Sequence, residues 1–267
     1  MHLSRLFRYP LKSGADEALD TATVTARGLL GDRRWMVVDD DGEFLTGRRF
    51  PQLVRVCARL ARGSLQLRAP GQTDCRVSEP RAGGERTAVT VWGDRVAALD
   101  AGDSAAAWIT ALLRIPARLV FMDEAAQRDV DPAFALPGDT VSFADGFPLL
   151  PIGSASMADL NRRVGRSMDP RRFRPNLLVD TPAPFTEDRW RRIRIGEIVF
   201  DVVKACSRCR FTTVDPDSGE RDADGEPLRT LARFRAAGDG VLFGQNLIPR
   251  TTGTIRVGDE LQVLDGD

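Results

Sequence analysis

Two cysteines three positions apart, Cys206 and Cys209, are the clearest candidates for chemically active residues in this sequence. They follow an apolar run at residues 198–205, whose β-branched composition predicts a strand. A thiolate at the end of a strand can serve as a soft metal ligand or as a nucleophile. The pair therefore indicates a metal site or a redox centre, unless it consists only of two small buried side chains.

The rest of the chain lacks what the two commonest functions of such a pair, zinc binding and thiol redox chemistry, would require. Structural zinc usually takes four Cys or His ligands, but Cys57 and Cys75 form no second pair, and the only histidine is His2. A thioredoxin-like redox pair should open a helix, whereas residues 211–214 read Phe-Thr-Thr-Val, a strand-like run before a turn. A zinc site and a redox pair therefore remain as minor alternatives.

Several motifs accompany the cysteine pair in a fixed order. They are Tyr-Pro-Leu-Lys-Ser at 9–13, Gly-Leu-Leu-Gly-Asp-Arg-Arg-Trp at 28–35, Phe-Arg-Pro-Asn at 173–176, Ala-Cys-Ser-Arg-Cys at 205–209, Thr-Thr-Val-Asp-Pro-Asp-Ser-Gly at 212–219 and Phe-Gly-Gln-Asn at 243–246. In this order and spacing the chain resembles the MOSC family, the C-terminal domains of molybdenum cofactor sulfurases. The similar subgroup has an N-terminal β-barrel region and includes the mitochondrial amidoxime-reducing components. The resemblance covers nearly the whole chain, from residue 3 to residue 264.

The resemblance implies a site for the molybdenum cofactor. This pyranopterin needs one more soft ligand on its metal, cations and N–H donors for its phosphate, and polar groups for its ring. The resemblance assigns Cys209 as the molybdenum ligand and Asp145 as an acidic residue beside the metal that can relay protons. Cys206 is expected to shape the loop without binding metal. The other positions matched to cofactor contacts are Lys12, Ser13, Arg33, Arg174, Asn176, Ser207 and Arg208.

Each of these assignments has a structural alternative. Arg33 and Arg174 could be solvated surface arginines, while Asp145 and Asn176 could be ordinary turn residues. The chain also departs from the family pattern after Asp145, where Gly and Phe stand in place of a pair of hydroxyl residues.

The composition agrees with a soluble intracellular enzyme. Lys+Arg and Asp+Glu balance at 38 each, so charge gives no reason to expect a nucleic-acid or membrane partner. No secreted disulfide pattern, signal peptide or apolar run long enough for a bilayer is visible. We therefore expect a cytoplasmic protein without the membrane anchor of the mitochondrial relatives. No glycine-rich motif for NAD or ATP is present.

Short strands dominate the expected secondary structure. Strand patterns occur at residues 2–9, 34–39, 53–60, 64–67, 88–92, 96–99 and 119–121, and helices are predicted at 104–113, 154–164 and 226–234. Many strands without βαβ alternation predict a mainly β protein of two fused β-barrel-like domains with a few short helices. The predicted domains are an N-terminal region of residues 1–122 and a MOSC domain of residues 123–267. The first strands, next to Lys12, are expected to pack into the C-terminal barrel.

The resemblance also implies an activity, the reduction of N-hydroxylated compounds such as amidoximes by a molybdenum-cofactor enzyme. Since the sequence has no flavin, haem or iron–sulfur motif, the electrons should come from a separate ferredoxin-, flavodoxin- or cytochrome-type protein and its reductase. The alternative is a cofactor carrier or sulfur-transfer protein that uses Cys209. The full set of cofactor-binding positions favours the enzyme, because sulfur transfer alone would not need them.

Overall fold

Strands make up most of the regular structure in the computed structural model, which describes residues 1–238 and 240–266. The strands are β1 (His2–Arg8), β2 (Glu17–Leu19), β3 (Thr21–Thr25), β4 (Gly28–Leu29), β5 (Trp35–Val38), β6 (Cys57–Ala61), β7 (Ser64–Arg68), β8 (Cys75–Ser78), β9 (Arg86–Val91), β10 (Asp94–Asp100), β11 (Arg118–Phe121), β12 (Pro151–Gly153), β13 (Leu177–Asp180), β14 (Trp190–Ile195), β15 (Ile198–Arg208), β16 (Ala236–Ala237), β17 (Gly240–Pro249), β18 (Gly253–Arg256) and β19 (Leu261–Gly266). The α-helices are α1 (Asp103–Leu113), α2 (Ser154–Val164) and α3 (Leu228–Phe234), and 3₁₀ helices span Pro51–Arg55, Pro170–Phe173, Thr186–Arg189 and Arg210–Thr213. The predicted mainly β fold class is confirmed.

The first strands are joined to the second half of the chain by sheet pairing. β1 lies between β13 and β2 in a sheet of order β12-β13-β1-β2. Its residues Leu3 and Leu6 stand opposite Val179 and Leu177, and all four side chains are buried. β3 pairs in the same way with β18, close to the C-terminus. The segment that follows β1, with Lys12, therefore starts beside the C-terminal half.

A five-stranded sheet of order β16-β17-β15-β14-β19 carries the cysteine motif. β15 is the longest strand in the described part of the chain, and it pairs with β17 along its length. The ladder is irregular between Val202 and Lys204 and again between Ala205 and Ser207. Such irregularities bend a strand and redirect its side chains. They occur in the part of β15 that ends at the cysteine motif.

The N-terminal half contributes a hairpin that reaches the site. β9 and β10 pair antiparallel with Val91 opposite Asp94, so that Trp92 and Gly93 form a two-residue turn. Both turn residues have positive φ, 54° for Trp92 and 92° for Gly93, as a type I′ turn requires. Glycine adopts this conformation freely, but tryptophan does so at a cost in conformational energy.

Two predicted strands are wrong in part. In the predicted strand at residues 53–60, a 3₁₀ helix begins at Pro51 and continues to Arg55, and only then does β6 begin. Proline suits the first position of a helical turn, and the turn buries Leu53 and Val54. Residues 211–214, predicted as strand-like, lie largely in the 3₁₀ helix Arg210–Thr213.

The second error has a local cause. The Thr212 hydroxyl donates to the Cys209 carbonyl at 3.0 Å, and the Thr213 hydroxyl donates to the Arg210 carbonyl at 2.8 Å. These bonds stabilise a turn instead of a β ladder. The helices predicted at 104–113 and 154–164 are confirmed, and the third begins two residues later than predicted. None of the helices formed by the described residues has the length and apolar character needed to cross a bilayer.

Candidate functional site

A cavity of about 360 Å³ is lined by residues from both halves of the chain. Every residue predicted from the sequence to belong to the site lines this cavity, namely Lys12, Ser13, Arg33, Asp145, Arg174, Asn176, Ser207, Arg208 and Cys209. They come from the segment after β1, the segment before β5, the loop before β12, the segment before β13, and the end of β15 with the residue that follows it. The fold therefore gathers at one place side chains that are far apart in sequence.

Three of these residues have unusual backbone conformations. Ser13, Arg33 and Arg174 all have positive φ, at 65°, 47° and 56°. For residues other than glycine this costs about 1–3 kcal/mol each, and it persists only where surrounding contacts fix the backbone. Arg33 provides such contacts: its guanidinium donates to the Arg174 carbonyl and to Asn176 Oδ1, both at 3.0 Å. Strain of this kind clusters at functional sites.

Tyr9 holds the arginines together, although the sequence does not single it out within its motif. The centre of its ring is 4.4 Å from the guanidinium carbon of Arg33 and 4.1 Å from that of Arg174. Burial lowers the pKa of Arg174 to about 10, with a further contribution from the Arg33 charge, so Arg174 stays cationic at neutral pH. Asp32 forms an ion pair with Arg33 and accepts the Tyr9 backbone N–H at 2.8 Å.

Two guanidinium nitrogens in the cavity wall have no hydrogen-bond partner among the described residues. They are Nη2 of Arg174 and Nη2 of Arg208, and both atoms are buried. The other nitrogens of Arg208 donate to the carbonyls of Phe243 at 2.8 Å and Phe173 at 3.0 Å. An unsatisfied buried donor costs about 1–3 kcal/mol, and more when it is charged. The two nitrogens are therefore suited to receive an anionic group that the protein itself does not supply.

Asn176 differs from the arginines, because its amide is already engaged within the protein. Oδ1 accepts from Arg33 and from the Leu150 backbone at 3.3 Å, while Nδ2 donates to the Phe7 carbonyl at 3.2 Å. Its side chain therefore joins β1 to the cavity wall. Ser13 also accepts a bond, from the Gly47 backbone N–H at 3.0 Å, but its hydroxyl proton remains available.

Asp145 stands at the open side of the cavity, and two donors hold it. Its Oδ1 accepts from Lys12 Nζ at 2.7 Å and from the Trp92 indole N–H at 3.0 Å. Partial desolvation by neighbouring protein atoms acts to raise its pKa, but 79% of the side chain remains exposed. The Lys12 charge, the two hydrogen bonds and the Arg33 charge outweigh it and hold the pKa of Asp145 well below its usual range.

Lys12 is the buried partner of this pair, with 6% of its side chain exposed. Burial lowers its pKa to about 8, although Asp145 opposes the shift. Its ammonium also donates to the Phe143 carbonyl at 2.7 Å. Arg128 fixes the same segment through the carbonyls of Ser142 at 3.0 Å and Asp145 at 2.9 Å. The carboxylate is therefore held at a fixed place.

The two cysteines differ in accessibility. Cys209 is exposed and directly precedes the 3₁₀ helix, whereas Cys206 is half-buried within β15. Burial raises the pKa of the Cys206 thiol, which disfavours its thiolate. Across residues 1–238 and 240–266, no three His, Cys, Asp or Glu side chains lie close enough to hold a metal ion together. The four-cysteine zinc site is therefore not formed.

These features define a member of the MOSC family, to which the chain belongs. It matches the MOSC N-terminal beta barrel domain over residues 1–116 and the MOSC domain over residues 138–262. The predicted boundary between residues 122 and 123 falls between these two ranges and stays a prediction.

Several of the individual proteins to which the chain is similar are mitochondrial amidoxime-reducing components. It is 33% identical to component 1 of Mus musculus over 280 residues, which cover 98% of this chain and 82% of that protein. It is 34% identical to component 2 of Bos taurus over 275 residues, covering 96% and 81%. With component 1 of Homo sapiens the identity is 33% over 281 residues, covering 98% and 82%. The resemblance predicted from the motifs is confirmed.

Proposed function

We propose that this protein is a molybdenum-cofactor-dependent reductase of N-hydroxylated compounds such as amidoximes. The observation that carries the proposal is one cavity with an exposed thiol, Cys209, and two buried guanidinium donors, on Arg174 and Arg208, that have no partner among the described residues. A soft ligand and unpaired cationic donors are what a metal dithiolate with a phosphate requires. The names of the relatives support the choice of substrate.

The residues present fit the cofactor. Cys209 would be the thiolate ligand, and Arg174 and Arg208 would bind its anionic group through their free Nη2 atoms. Hydroxyls of Ser13 and Ser207 line the same cavity and can bind the polar ring. When bound, the cofactor would supply a metal that exchanges two electrons and can accept an oxygen atom.

The protein's own part in the reaction is to hold and move protons. Reduction of R–NH–OH to R–NH₂ and water consumes two electrons and two protons. Lys12, with a pKa of about 8, can give and regain a proton near neutral pH. Asp145 remains a carboxylate, which accepts a hydrogen bond from Lys12 on one side and is exposed to the cavity on the other. The pair can therefore pass protons to the leaving oxygen.

The proposed electron source is a separate protein of the ferredoxin, flavodoxin or cytochrome type with its reductase. The sequence has no motif for a cofactor that accepts electrons from a nicotinamide. Encounters with small redox proteins are weak and electrostatically steered, so turnover should fall as salt rises.

The test combines metal analysis with an assay. Protein purified from a host that makes the cofactor should contain stoichiometric molybdenum and pterin, and it should reduce benzamidoxime with reduced viologen. NADH alone should give no turnover. Stoichiometric zinc without molybdenum would overturn the proposal. Molybdenum without reduction of any N–O compound would instead support the carrier function.

A further inference from the structure

Cationic side chains far outnumber carboxylates around the cavity. Asp145 is the one acidic side chain among the described residues that line it. The cations in the lining are Lys12, Arg33, Arg48, Arg172, Arg174, Lys204 and Arg208. The whole chain, by contrast, has equal numbers of acidic and basic side chains. The excess of positive charge is therefore a local property of this cavity.

Five of these cations already have a role. Lys12, Arg33 and Arg172 form ion pairs with carboxylates, which are Asp145, Asp32 and Asp215. Arg174 and Arg208 donate to backbone carbonyls and offer their free nitrogens to the cofactor. Arg48 and Lys204 remain. Within the described residues, neither of these two side chains donates a hydrogen bond or pairs with a carboxylate.

Arg48 is nevertheless held in place. Its guanidinium lies 4.2 Å from the centre of the Trp92 ring. Trp92 is fixed in turn by its hydrogen bond to Asp145 and by the edge of Phe44, with ring centres 4.8 Å apart. The backbone of Arg48 is also anchored, because its carbonyl accepts from the Arg221 guanidinium.

A guanidinium stacked on a ring keeps the N–H groups along its edge free for a planar anion. Its conformational entropy has already been lost, so binding costs less than at a mobile surface arginine. The strained Trp92 turn is what places this ring, and with it Arg48, at the cavity.

Lys204 contributes a second charge from β15. Its ammonium is 4.2 Å from the centre of the Phe134 ring, and Phe134 packs edge-on against Phe147. Lys204 is exposed and Arg48 is half-buried, whereas the unpartnered Nη2 atoms of Arg174 and Arg208 are buried.

We propose that Arg48, assisted by Lys204, binds a carboxylate on the substrate, so that the preferred substrates are N-oxygenated compounds that also carry an anionic group. This subsite presupposes the reduction proposed above, but it is a separate property. A carboxylate and a guanidinium edge form paired charge-assisted hydrogen bonds. Among the described residues of the cavity wall, the other cations either pair with carboxylates or have their unpartnered nitrogens buried.

Three matched substrates test the proposal on the holoenzyme. They are benzamidoxime, 4-carboxybenzamidoxime and 4-(aminomethyl)benzamidoxime, which differ in charge at the end remote from the N–O group. We expect kcat/KM to be highest for the anionic compound and lowest for the cationic one. Arg48→Gln should reduce the anionic-to-neutral ratio of kcat/KM by roughly tenfold or more, as expected for loss of one charge-assisted contact. Arg48→Lys should retain part of the preference, because the charge remains.

Arg49→Gln is the control, because Arg49 is the next residue, is exposed, stacks on Phe50 and does not line the cavity. It should leave the ratio unchanged. Calorimetric binding of the products, 4-carboxybenzamidine and benzamidine, gives a second measurement on the wild-type protein that needs no turnover. Tighter binding of the carboxylate, weakened by salt, supports the subsite.

The outcomes separate this subsite from the general activity. Equal ratios in wild type and Arg48→Gln, or equal binding of the two products, overturn the subsite. Loss of molybdenum and pterin from Arg48→Gln also overturns it, because Arg48 would then belong to the cofactor. If none of the three substrates is reduced, the proposed function fails, and the product-binding comparison still decides the subsite.

Discussion

Lys12 Nζ and Asp145 Oδ1 are 2.7 Å apart, although 133 positions separate the two residues in the sequence. The pair is unequal, because the lysine side chain is 6% exposed and the aspartate side chain is 79% exposed. Burial destabilises the ammonium, while the carboxylate keeps contact with solvent. The protein therefore holds a buried cation whose proton affinity is reduced, at the point where the two halves of the chain meet.

Stability at alkaline pH should report the buried ammonium. The pKa of Lys12 is lowered to about 8 in the folded protein, against about 10.4 when it is unfolded. Between these values the unfolded chain binds more protons, so this group makes the free energy of unfolding rise with pH. In cofactor-free protein we expect Lys12→Met to remove roughly 1–2 kcal/mol of that rise between pH 7.5 and 9.5. Urea unfolding at both pH values measures it.

The only other lysine provides a matched control. Lys204 is exposed, so Lys204→Met removes no buried charge and should keep the wild-type pH dependence. The same slope in all three proteins would show that Lys12 is not desolvated as described.

The sequence predicts the candidate site residues better than it predicts the strand pairings and neighbouring side chains that position them. The family motifs identify Lys12, Arg174 and Cys209, and all three line one cavity. Trp92 and Arg48 were not predicted as site residues, since they reach the cavity only through long-range pairing of the β9–β10 hairpin and its neighbours. A local pattern of alternating residues carries no information about such contacts.

Trp92→Phe should alter the ionisation of Asp145 without removing the aromatic ring. The indole N–H is one of the groups that hold the pKa of Asp145 low. A lowered carboxyl pKa keeps the ionised form present until the pH falls through that value. Without the donor the pKa of Asp145 rises toward about 3.9, so the acid limb of the kcat–pH profile shifts to higher pH. The profile below pH 5, with electrochemically reduced viologen as donor, measures the shift.

Another Trp→Phe change separates this effect from general loss of packing. Trp108 is buried in the N-terminal core and donates to the Thr73 carbonyl at 2.6 Å. Trp108→Phe should lower stability but leave the acid limb in place. Should the two variants have the same profile, Trp92 has no role in the ionisation of Asp145.

Single substitutions of the two cysteines should have unequal effects. Cys209→Ala removes the exposed thiol and should abolish both molybdenum retention and reduction of benzamidoxime. Cys206→Ala removes a half-buried thiol whose thiolate is disfavoured by burial, so a substantial part of the activity should remain. Metal content and initial rates are measured on the same preparations. Equal loss of molybdenum in both variants would mean that the ligand assignment is wrong or that the pair acts together.

Arg174→Met should lower occupancy by the cofactor while leaving the empty protein folded. Nη2 of Arg174 is buried without a partner in the described part of the chain, and burial lowers its pKa to about 10. The guanidinium is therefore poorly compensated until an anion binds, and its removal should cost the empty protein little stability. Loss of a charge-assisted contact should weaken cofactor binding by roughly tenfold or more. Pterin released from purified protein, together with the thermal midpoint of the cofactor-free form, measures both effects.

Arg81→Met, at an exposed loop residue outside the cavity, should change neither the pterin content nor the thermal midpoint. Full pterin content in Arg174→Met would return this arginine to a structural role, as would a large drop in the thermal midpoint of the empty protein.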